Sequence, residues 1–544
     1  IPTLKEKSMV LQAVAFHYLK NDLLEAGVPA LCEVIEPLLP RIKAQIAADV
    51  LLRQIWERSG ILQEQRLGFF GFAHRALHDY LAAAYLVEHE LDSLLLERAG
   101  EERWREVILI AAGLAPVDRA ERLVKALLEK IGDSGAELEM AGFTLAEDIQ
   151  LGEDLRAEVK KRLLDRLTHE EAAGPYRRLA GALLAADPEA ARRWMEEELR
   201  GLDPQRQQRV LELLPELGES QAPPMATLLA RLVEDDSGET AVRAKAARAL
   251  ATIRFTPDVR IWQALALAQH GEPSLKRAAN WAWCELGGPE DLGLVRVPAG
   301  EFRMGSLEGE GDPDERPQHV LYLPTFYIGK RPVTVGTYRD YLEKSGRPVA
   351  DGEALERWNR HADHPVVGVS WHAALAFADW HGFTLPSEAE WEKAARGPDG
   401  RRYPWGNEWK LGCANSAEHW SGGGGLLLFS WRRSRRLLGA TTTVGQFSPQ
   451  GDSPYGCVEM AGNVWEWTRT LWGEDALKPT FAYPYAAGDG REDLDASSQD
   501  LRVLRGGAFL INSRHVRCAY RGRDYPGSWL VSIGFRVVLS PFPL

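Results

Sequence analysis

The residues best placed for chemistry lie between two short frames, Arg502-Val503-Leu504-Arg505-Gly506-Gly507 and Ile533-Gly534-Phe535-Arg536-Val537-Val538. Between them stand Leu510, Ile511, His515, Tyr520, Asp524, Tyr525, Trp529, Leu530 and Val531, mixed in chemistry and following neither a helical nor a strand period. Large side chains held on loops between fixed strands form binding surfaces, so noncovalent recognition is the chemistry on offer. The alternative is a loop that packs on its own core. Covalent chemistry has few candidates. Cys32, Cys284, Cys413, Cys457 and Cys518 show no short paired spacing, which excludes a zinc knuckle and a disulfide framework and fits a reducing compartment. No Gly-x-x-x-x-Gly-Lys-Ser/Thr occurs, so the chain has no loop of that kind to cradle nucleotide phosphates.

The elements that must position this segment differ from those of the N-terminal half. Gly506-Gly507 permits positive φ and close backbone approach, so the first frame reads as a strand-to-loop corner. The second frame, β-branched and aromatic, reads as a buried final strand. From about Leu294 glycine and tryptophan rise, and twelve of the 18 tryptophans lie beyond residue 300. That composition predicts a compact α+β domain whose aromatic core is held largely by loops. Strands are expected near 295–297, 301–304, 319–323, 326–329, 502–505 and 533–539. Helices are expected over 334–344, 371–380 and 387–396, with Thr334 and Ser370 as N-caps and Ser387 and Glu390 at capping-box spacing.

Residues 1 to about 290 read as all-α. Apolar residues recur at three- and four-residue intervals over 107–112 and 123–128, and breaks fall at Asp187-Pro188, Asp203-Pro204 and Gly288-Pro289. The last helix should stop at Gly287-Gly288-Pro289, with Trp281 or Trp283 sealing a packed junction to the next domain. At 544 residues the chain should hold roughly two to four domains. A net charge of -13 argues against general nucleic-acid or membrane-surface binding, and no apolar run reaches transmembrane length. The basic run 431–436 follows the glycines 422–425 and reads as a solvated loop; the acidic stretch 308–316 reads as an exposed loop. The chain opens Ile1-Pro2 without methionine, which suggests N-terminal trimming, and the expected compartment is cytoplasmic.

Several ordered motifs then carry a resemblance. They are Val297-Pro298-Ala299-Gly300-Glu301-Phe302-Arg303-Met304-Gly305, Phe326-Tyr327-Ile328-Gly329, His364-Pro365-Val366-Val367-Gly368-Val369-Ser370-Trp371 and Leu385-Pro386-Ser387-Glu388-Ala389-Glu390-Trp391. Tyr403-Pro404-Trp405-Gly406, Gly462-Asn463-Val464-Trp465-Glu466-Trp467 and the two frames follow. Together they resemble the formylglycine-generating-enzyme (sulfatase-modifying factor) family, which implies a variant of the C-type-lectin fold. Oxidising members use a cysteine pair just after the Gly-Gly. Here the first of those positions falls at about Ile511, residues that would include the second are missing, and Cys518 matches a later, non-catalytic cysteine. The resemblance therefore implies no copper site and no formylglycine chemistry. Sulfoxide-synthase relatives bind iron through a His-rich helical domain, but His364-Pro365 belongs to a structural motif and His361 to a polar loop. Family members hold calcium along the Gly-Asn-Val-Trp-Glu-Trp turn, and the matching positions are Glu459, Gly462, Val464 and Glu466, with Glu459 departing from the usual Asp or Asn.

The chain is more similar still to the variable proteins of diversity-generating retroelements. These keep both frames while adenine-directed mutagenesis rewrites codons between them. Rewritten Asn-type codons cannot produce Trp, Met, Glu, Gln or Lys. Leu510, Ile511, His515, Gly522, Asp524, Tyr525, Ser528, Leu530 and Val531 avoid all five, and Trp529 would have to be fixed. With Tyr520 they make the expected ligand-binding set. In the helical half, Ser59-Gly60-Ile61-Leu62 and the stretch from Phe70 to Ala83 resemble the region that follows the nucleotide-binding module of NACHT-type NTPases. That implies an NTPase module upstream, and His74 reads as a helix-start residue satisfied by local hydrogen bonds. Segments 241–250 and 274–283, with small residues on one face and cations on the other, resemble HEAT-type repeats.

The expected architecture is multidomain: a NACHT-associated helical domain over 1–100, HEAT-like repeats over 101–290 and a C-type-lectin-like domain over 294–544. The expected function is a non-catalytic receptor for an unknown protein or other macromolecule, with no copper, no nucleotide in this chain and calcium as the candidate structural ion. An oxidase of the formylglycine-generating or sulfoxide-synthase kind, and a repeat scaffold without a specific ligand, are the alternatives.

Overall fold

The computed structural model describes residues 2–43, 45–132, 135–146, 149–201, 203–216, 221–288, 291–347, 359–421 and 440–540. The chain divides into two compact units, Ile1–Leu228 with Thr252–Thr256, and Leu229–Ala251 with Pro257–Leu544. The first unit is helical. Its opening helix, Leu4–Lys20, starts at a capping box in which Thr3 and Glu6 satisfy each other's backbone N–H groups, and it buries Val10, Val14 and Tyr18. One feature departs from an all-helical reading. Strands β1 (Ala26–Gly27), β2 (Leu62–Arg66) and β3 (Phe69–Phe72) form a small antiparallel sheet in the order β1-β3-β2, anchored by the Tyr18 hydroxyl donating to the Phe70 carbonyl at 2.5 Å. Strands this short leave little period to read between strongly helical neighbours. His74 does start the Arg75–Glu88 helix, but its side chain makes no capping bond; only its carbonyl is used, by the His78 N–H at 3.2 Å. Among the described residues no helix is long and apolar enough to cross a membrane.

The second unit begins with helices and continues into an α+β domain of C-type-lectin type. Thr240–Leu250 and Pro273–Glu285 pack together, and the residues they bury include Ala246, Ala247, Ala278, Ala279 and Ala282, which permit close approach. The Pro273–Glu285 helix lies directly against the α+β domain. Trp281 meets Tyr327 edge-on at 5.5 Å, the Asn280 amide donates to the His381 carbonyl at 2.9 Å, and Arg277 pairs with Asp379 at 2.6 Å. Trp281 thus seals the junction, whereas Trp283 pairs with Trp262.

The strands of this domain are β4 (Leu294–Val297), β5 (Gly300–Met304), β6 (His319–Leu323), β7 (Phe326–Gly329), β8 (Trp465–Gly473), β9 (Leu501–Arg505), β10 (Gly522–Asp524), β11 (Ile533–Gly534) and β12 (Val538–Leu539). They form sheets ordered β10-β9-β8-β11 and β12-β7-β4 and the hairpin β5-β6. The strand expected over 533–539 is in fact two. Ile533 pairs in parallel with Trp465, and Val538 pairs antiparallel with Ile328, so the chain crosses from one sheet to the other around Phe535. The three expected helices are Val335–Ser345, Trp371–Trp380 and Glu388–Arg396, capped by Thr334, Ser370 and the Ser387–Glu390 capping box. The last of them is buried all round, including Glu388, Glu390, Glu392, Lys393 and Arg396. Apolar packing cannot account for a helix of that composition: its charges must be paired or hydrogen-bonded, and Lys393 donates to the Pro298 and Gly300 carbonyls at 2.8 and 2.9 Å.

Candidate functional site

Four buried arginines peg the segment 505–536 to the scaffold. Arg505, at the end of β9, makes a very short ion pair with Glu392 and donates to the Cys518 carbonyl at 2.9 Å. Arg517 grips Glu315 through two bonds of 2.7 Å, and Arg521 grips Glu388 at 2.8 and 2.9 Å. Arg536 holds Glu466 at 2.6 and 2.7 Å and also donates to the Gly329 and Val458 carbonyls. Two-pronged guanidinium–carboxylate geometry of this kind is the strongest polar contact available to side chains. Burial raises the Glu392 carboxyl, but the charges of Arg505 and Arg396 outweigh it and hold the group below its usual range. The stretch 308–316 is exposed over 308–310 as expected, but the expectation is corrected at Glu315, which is fully buried in its pair with Arg517. Between the first two pegs the backbone turns sharply: Gly506 and Gly507 have φ of 90° and 74°, and a Cβ on Gly507 would stand 2.5 Å from Val516.

None of the eleven nominated residues is buried. Leu510, Tyr525, Trp529 and Leu530 are between 42% and 53% exposed, and Ile511, His515, Tyr520, Gly522, Asp524, Ser528 and Val531 are half-buried. Val516, Cys518, Ala519, Pro526 and Ser532, interleaved with them, are buried. The eleven nevertheless play different parts. His515 and Tyr520 meet edge-on at 4.8 Å, and Tyr520 lies 5.8 Å from Trp465, the half-buried first residue of β8. Trp465 therefore joins this aromatic group, although the sequence offered only a turn motif at that point. Gly522 is a packing residue, since a Cβ there would stand 3.0 Å from the Trp465 ring and 3.2 Å from Leu504. Free replacement at 522 does not fit that spacing. Asp524 accepts from the Tyr525 N–H at 2.8 Å and the Ser528 hydroxyl at 2.6 Å, so these two polar residues shape the loop that presents Tyr525, Trp529 and Leu530. The same loop is tied down where the Trp371 N–H meets the Pro526 carbonyl at 3.0 Å and the Gly368 N–H meets Leu530 O at 3.2 Å. Ile511 packs against the cluster of Tyr403, Ala414, Ala461 and Val516, so its side chain is partly core. Nearby, the Ser513 N–H donates to Glu418 at 2.7 Å, which brings the short Ala417–Ser421 helix alongside with the exposed Trp420.

Groups suited to covalent or metal chemistry are placed differently. All five cysteines are free; burial pushes the Cys284 and Cys518 thiols up to about 12 and raises those of Cys32, Cys413 and Cys457. A nucleophilic thiol needs the opposite shift. His361 and His364 lie with ring centroids 4.8 Å apart, and His364 Nδ1 is hydrogen-bonded to the Thr441 hydroxyl at 2.9 Å. Among the described residues no three His, Cys, Asp or Glu side chains form a metal-holding group. The basic run 431–436 and the glycines 422–425 lie outside the described residues.

Glu459, Gly462, Val464 and Glu466 do share one turn, in which Glu459 and Asn463 take left-handed backbone. Their hard oxygens suit calcium in kind. Both carboxylates, however, are engaged. Glu466 holds Arg536 and also accepts from the Trp391 indole at 2.7 Å, while Glu459 accepts from the Gly445 N–H at 3.2 Å and the Asn463 amide at 2.8 Å. The Gly462 carbonyl takes the Val464 N–H at 2.9 Å. The Arg536 guanidinium thus supplies beside Glu466 the positive charge an ion would bring, and the residues as placed do not fit a calcium cage.

Comparison with known proteins bears on this geometry. The family model described as "Sulfatase-modifying factor enzyme 1-like domain" matches residues 289–541. A serine/threonine-protein kinase pkn1 of Chlamydia pneumoniae is 34% identical over 45% of this chain, and the match spans only 37% of that kinase. The formylglycine-generating enzyme of Streptomyces coelicolor is 33% identical over 45% of this chain and 88% of its own length. Among solved structures, Treponema denticola variable protein 1 aligns over 46% of this chain and 95% of its own, at 21% identity and a TM-score of 0.32.

Proposed function

Through residues 289–541 the chain belongs to the sulfatase-modifying factor family, and we propose that it is a non-catalytic, ligand-binding member whose recognition surface is the segment 505–536. One observation carries this reading: exposed, chemically mixed side chains alternate along the segment with buried arginines that pair with Glu392, Glu315, Glu388 and Glu466. A scaffold fixed at four points tolerates exchange of the side chains between them, which is what a diversified binding surface requires. Exposed aromatic residues such as Tyr525 and Trp529 suit a protein or other macromolecular ligand, because they offer large contact area at little entropic cost. The helical half, with its NACHT-like stretch and repeat-like helix pairs, is on this reading the arm that carries the surface and couples it to an upstream NTPase module.

The absence of oxidase chemistry is part of the proposal and is supported by the lack of a cysteine at about Ile511, where the family resemblance puts the first catalytic thiol, and by thiols whose pKa values burial raises. Incubation with a cysteine-containing sulfatase peptide, copper and oxygen should leave the peptide's mass unchanged. Conversion of its cysteine to formylglycine would overturn this assignment. Diversification predicts a near-copy of the 505–536 coding segment beside a reverse transcriptase gene, which sequencing the surrounding DNA would test.

A further inference from the structure

A cleft of about 1170 Å³ opens within the second unit between the Pro273–Glu285 helix and the α+β domain. Its wall carries Lys276 from the helix and Lys330, Arg331 and Lys344 from the domain, and among the described residues that line it the one carboxylate is Asp291. In a chain of net charge -13 this local excess of cations calls for an anion. Lys276 is fixed as part of the wall, donating to the Trp380 carbonyl at 2.8 Å with its ammonium 5.1 Å from the centre of the Trp380 ring. Among the described residues the side chains of Lys330, Arg331 and Lys344 have no hydrogen-bond or ion-pair partner, and Lys330 and Arg331 are exposed. The Asp291 carboxylate is turned to the Gly293 N–H at 2.8 Å.

Two further observations point the same way. His381, also on the wall, is held below the ordinary histidine range first by burial and further by the charges of Lys276 and Lys344, against the raising effect of the Phe377 carbonyl. The charges of Lys276 and Lys344 thus reach His381 on the cleft wall, in keeping with the cations placed around it. Gln269 lines the cleft, and its amide nitrogen is buried without a hydrogen-bond partner, a donor left without an acceptor. The rest of the lining is largely apolar, with Leu294, Phe383 and the Trp380 ring.

We propose that this cleft binds a small phosphate-bearing molecule of nucleotide size with a flat apolar body. Lysine ammoniums and a forked guanidinium match phosphate oxygens, the Gln269 amide supplies a neutral donor, and the apolar wall receives the ring. The lining comes from both the helix and the domain, so the ligand bridges them and stabilises their junction by mass action. No residue of the 505–536 segment lines the cleft, so the site stands independently of the recognition surface.

The test is calorimetry and thermal unfolding of the whole chain with ATP, adenosine and pyrophosphate as separate probes. ATP should bind and raise the unfolding temperature, while adenosine and pyrophosphate each bind at least about tenfold more weakly. The triple variant K330E/R331E/K344E changes unpaired side chains, so it should fold normally and lose at least about tenfold in ATP affinity. Leu530→Ser should leave ATP binding unchanged. No ATP binding at millimolar concentration, or undiminished binding by the triple variant, overturns the site; pyrophosphate binding as tight as ATP overturns the apolar half of the assignment.

Discussion

Replacing Glu388 by alanine should cost the second unit about 3–5 kcal/mol of stability, the range for removing one partner of a buried ion pair. Glu388 is fully buried on a helix that is itself enclosed. It takes both prongs of Arg521, accepts from the Tyr483 hydroxyl at 3.3 Å, and lies 3.8 Å from Arg505 and 3.9 Å from Arg491. Without it Arg521 stays buried with only carbonyl acceptors, those of Asp314 and Phe481. Glu388→Gln keeps the shape and two donor contacts at most, so it should lose less than alanine. Denaturant unfolding followed by tryptophan fluorescence reads the difference, since the core around this helix is rich in tryptophan. A loss below about 1 kcal/mol would mean the pegs do not hold the segment.

Arg536→Ala should be comparably damaging, at about 3–5 kcal/mol. It strips Glu466 of its counter-charge and orphans the Gly329 and Val458 carbonyls where the chain crosses between sheets. If calcium rather than Arg536 neutralised this turn, a chelator would destabilise the wild-type protein as much as the substitution does; on the geometry described, chelation should leave it unchanged. The same dependence on charge sets an acid limit. Glu392 has a folded pKa below the ordinary glutamate value of about 4.5, so the stability it contributes is fully present above that pH and is lost as pH falls through the folded pKa. Unfolding midpoints measured between neutral pH and about pH 3 should therefore fall below about pH 4.5.

Much of the scaffold is legible in the sequence. Thr334, Ser370 and Ser387 marked helix starts because N-caps are local chemistry, and Gly506-Gly507 marked a corner because the backbone there needs positive φ. Strand β8 was not legible. It is buried along nearly its whole length and includes Glu466, Thr468, Arg469 and Thr470, which lack the alternation by which a strand is recognised. The crossing near Phe535 was hidden for a related reason, since one apolar run feeds two sheets. Arg505 and Arg536 stood out within the two frames, but the pairings of the pegs left no local trace. Arg517 and Glu315 are 202 positions apart, and charged residues ordinarily signal surface. Along 505–536, residue type and lack of period picked out residues none of which is buried, and passed over the exposed Asn512 and Arg514. They did not separate display residues such as Trp529 from those that shape the loop, Asp524 and Ser528, or from the packing residues Gly522 and Ile511.

On the proposed reading, display and support are divided residue by residue along 505–536. Thermal unfolding of the combined variant L510S/Y525S/W529S/L530S, set beside Ile511→Ser alone, separates the two roles. The four exposed positions should together shift the unfolding temperature by no more than about 4 °C, because surface substitutions each stay near half a kcal/mol in a domain of this size. Ile511→Ser should match or exceed that loss by itself. A fall of about 10 °C or more for the combined variant would show those four side chains to be core, and the segment would not be a displayed binding surface.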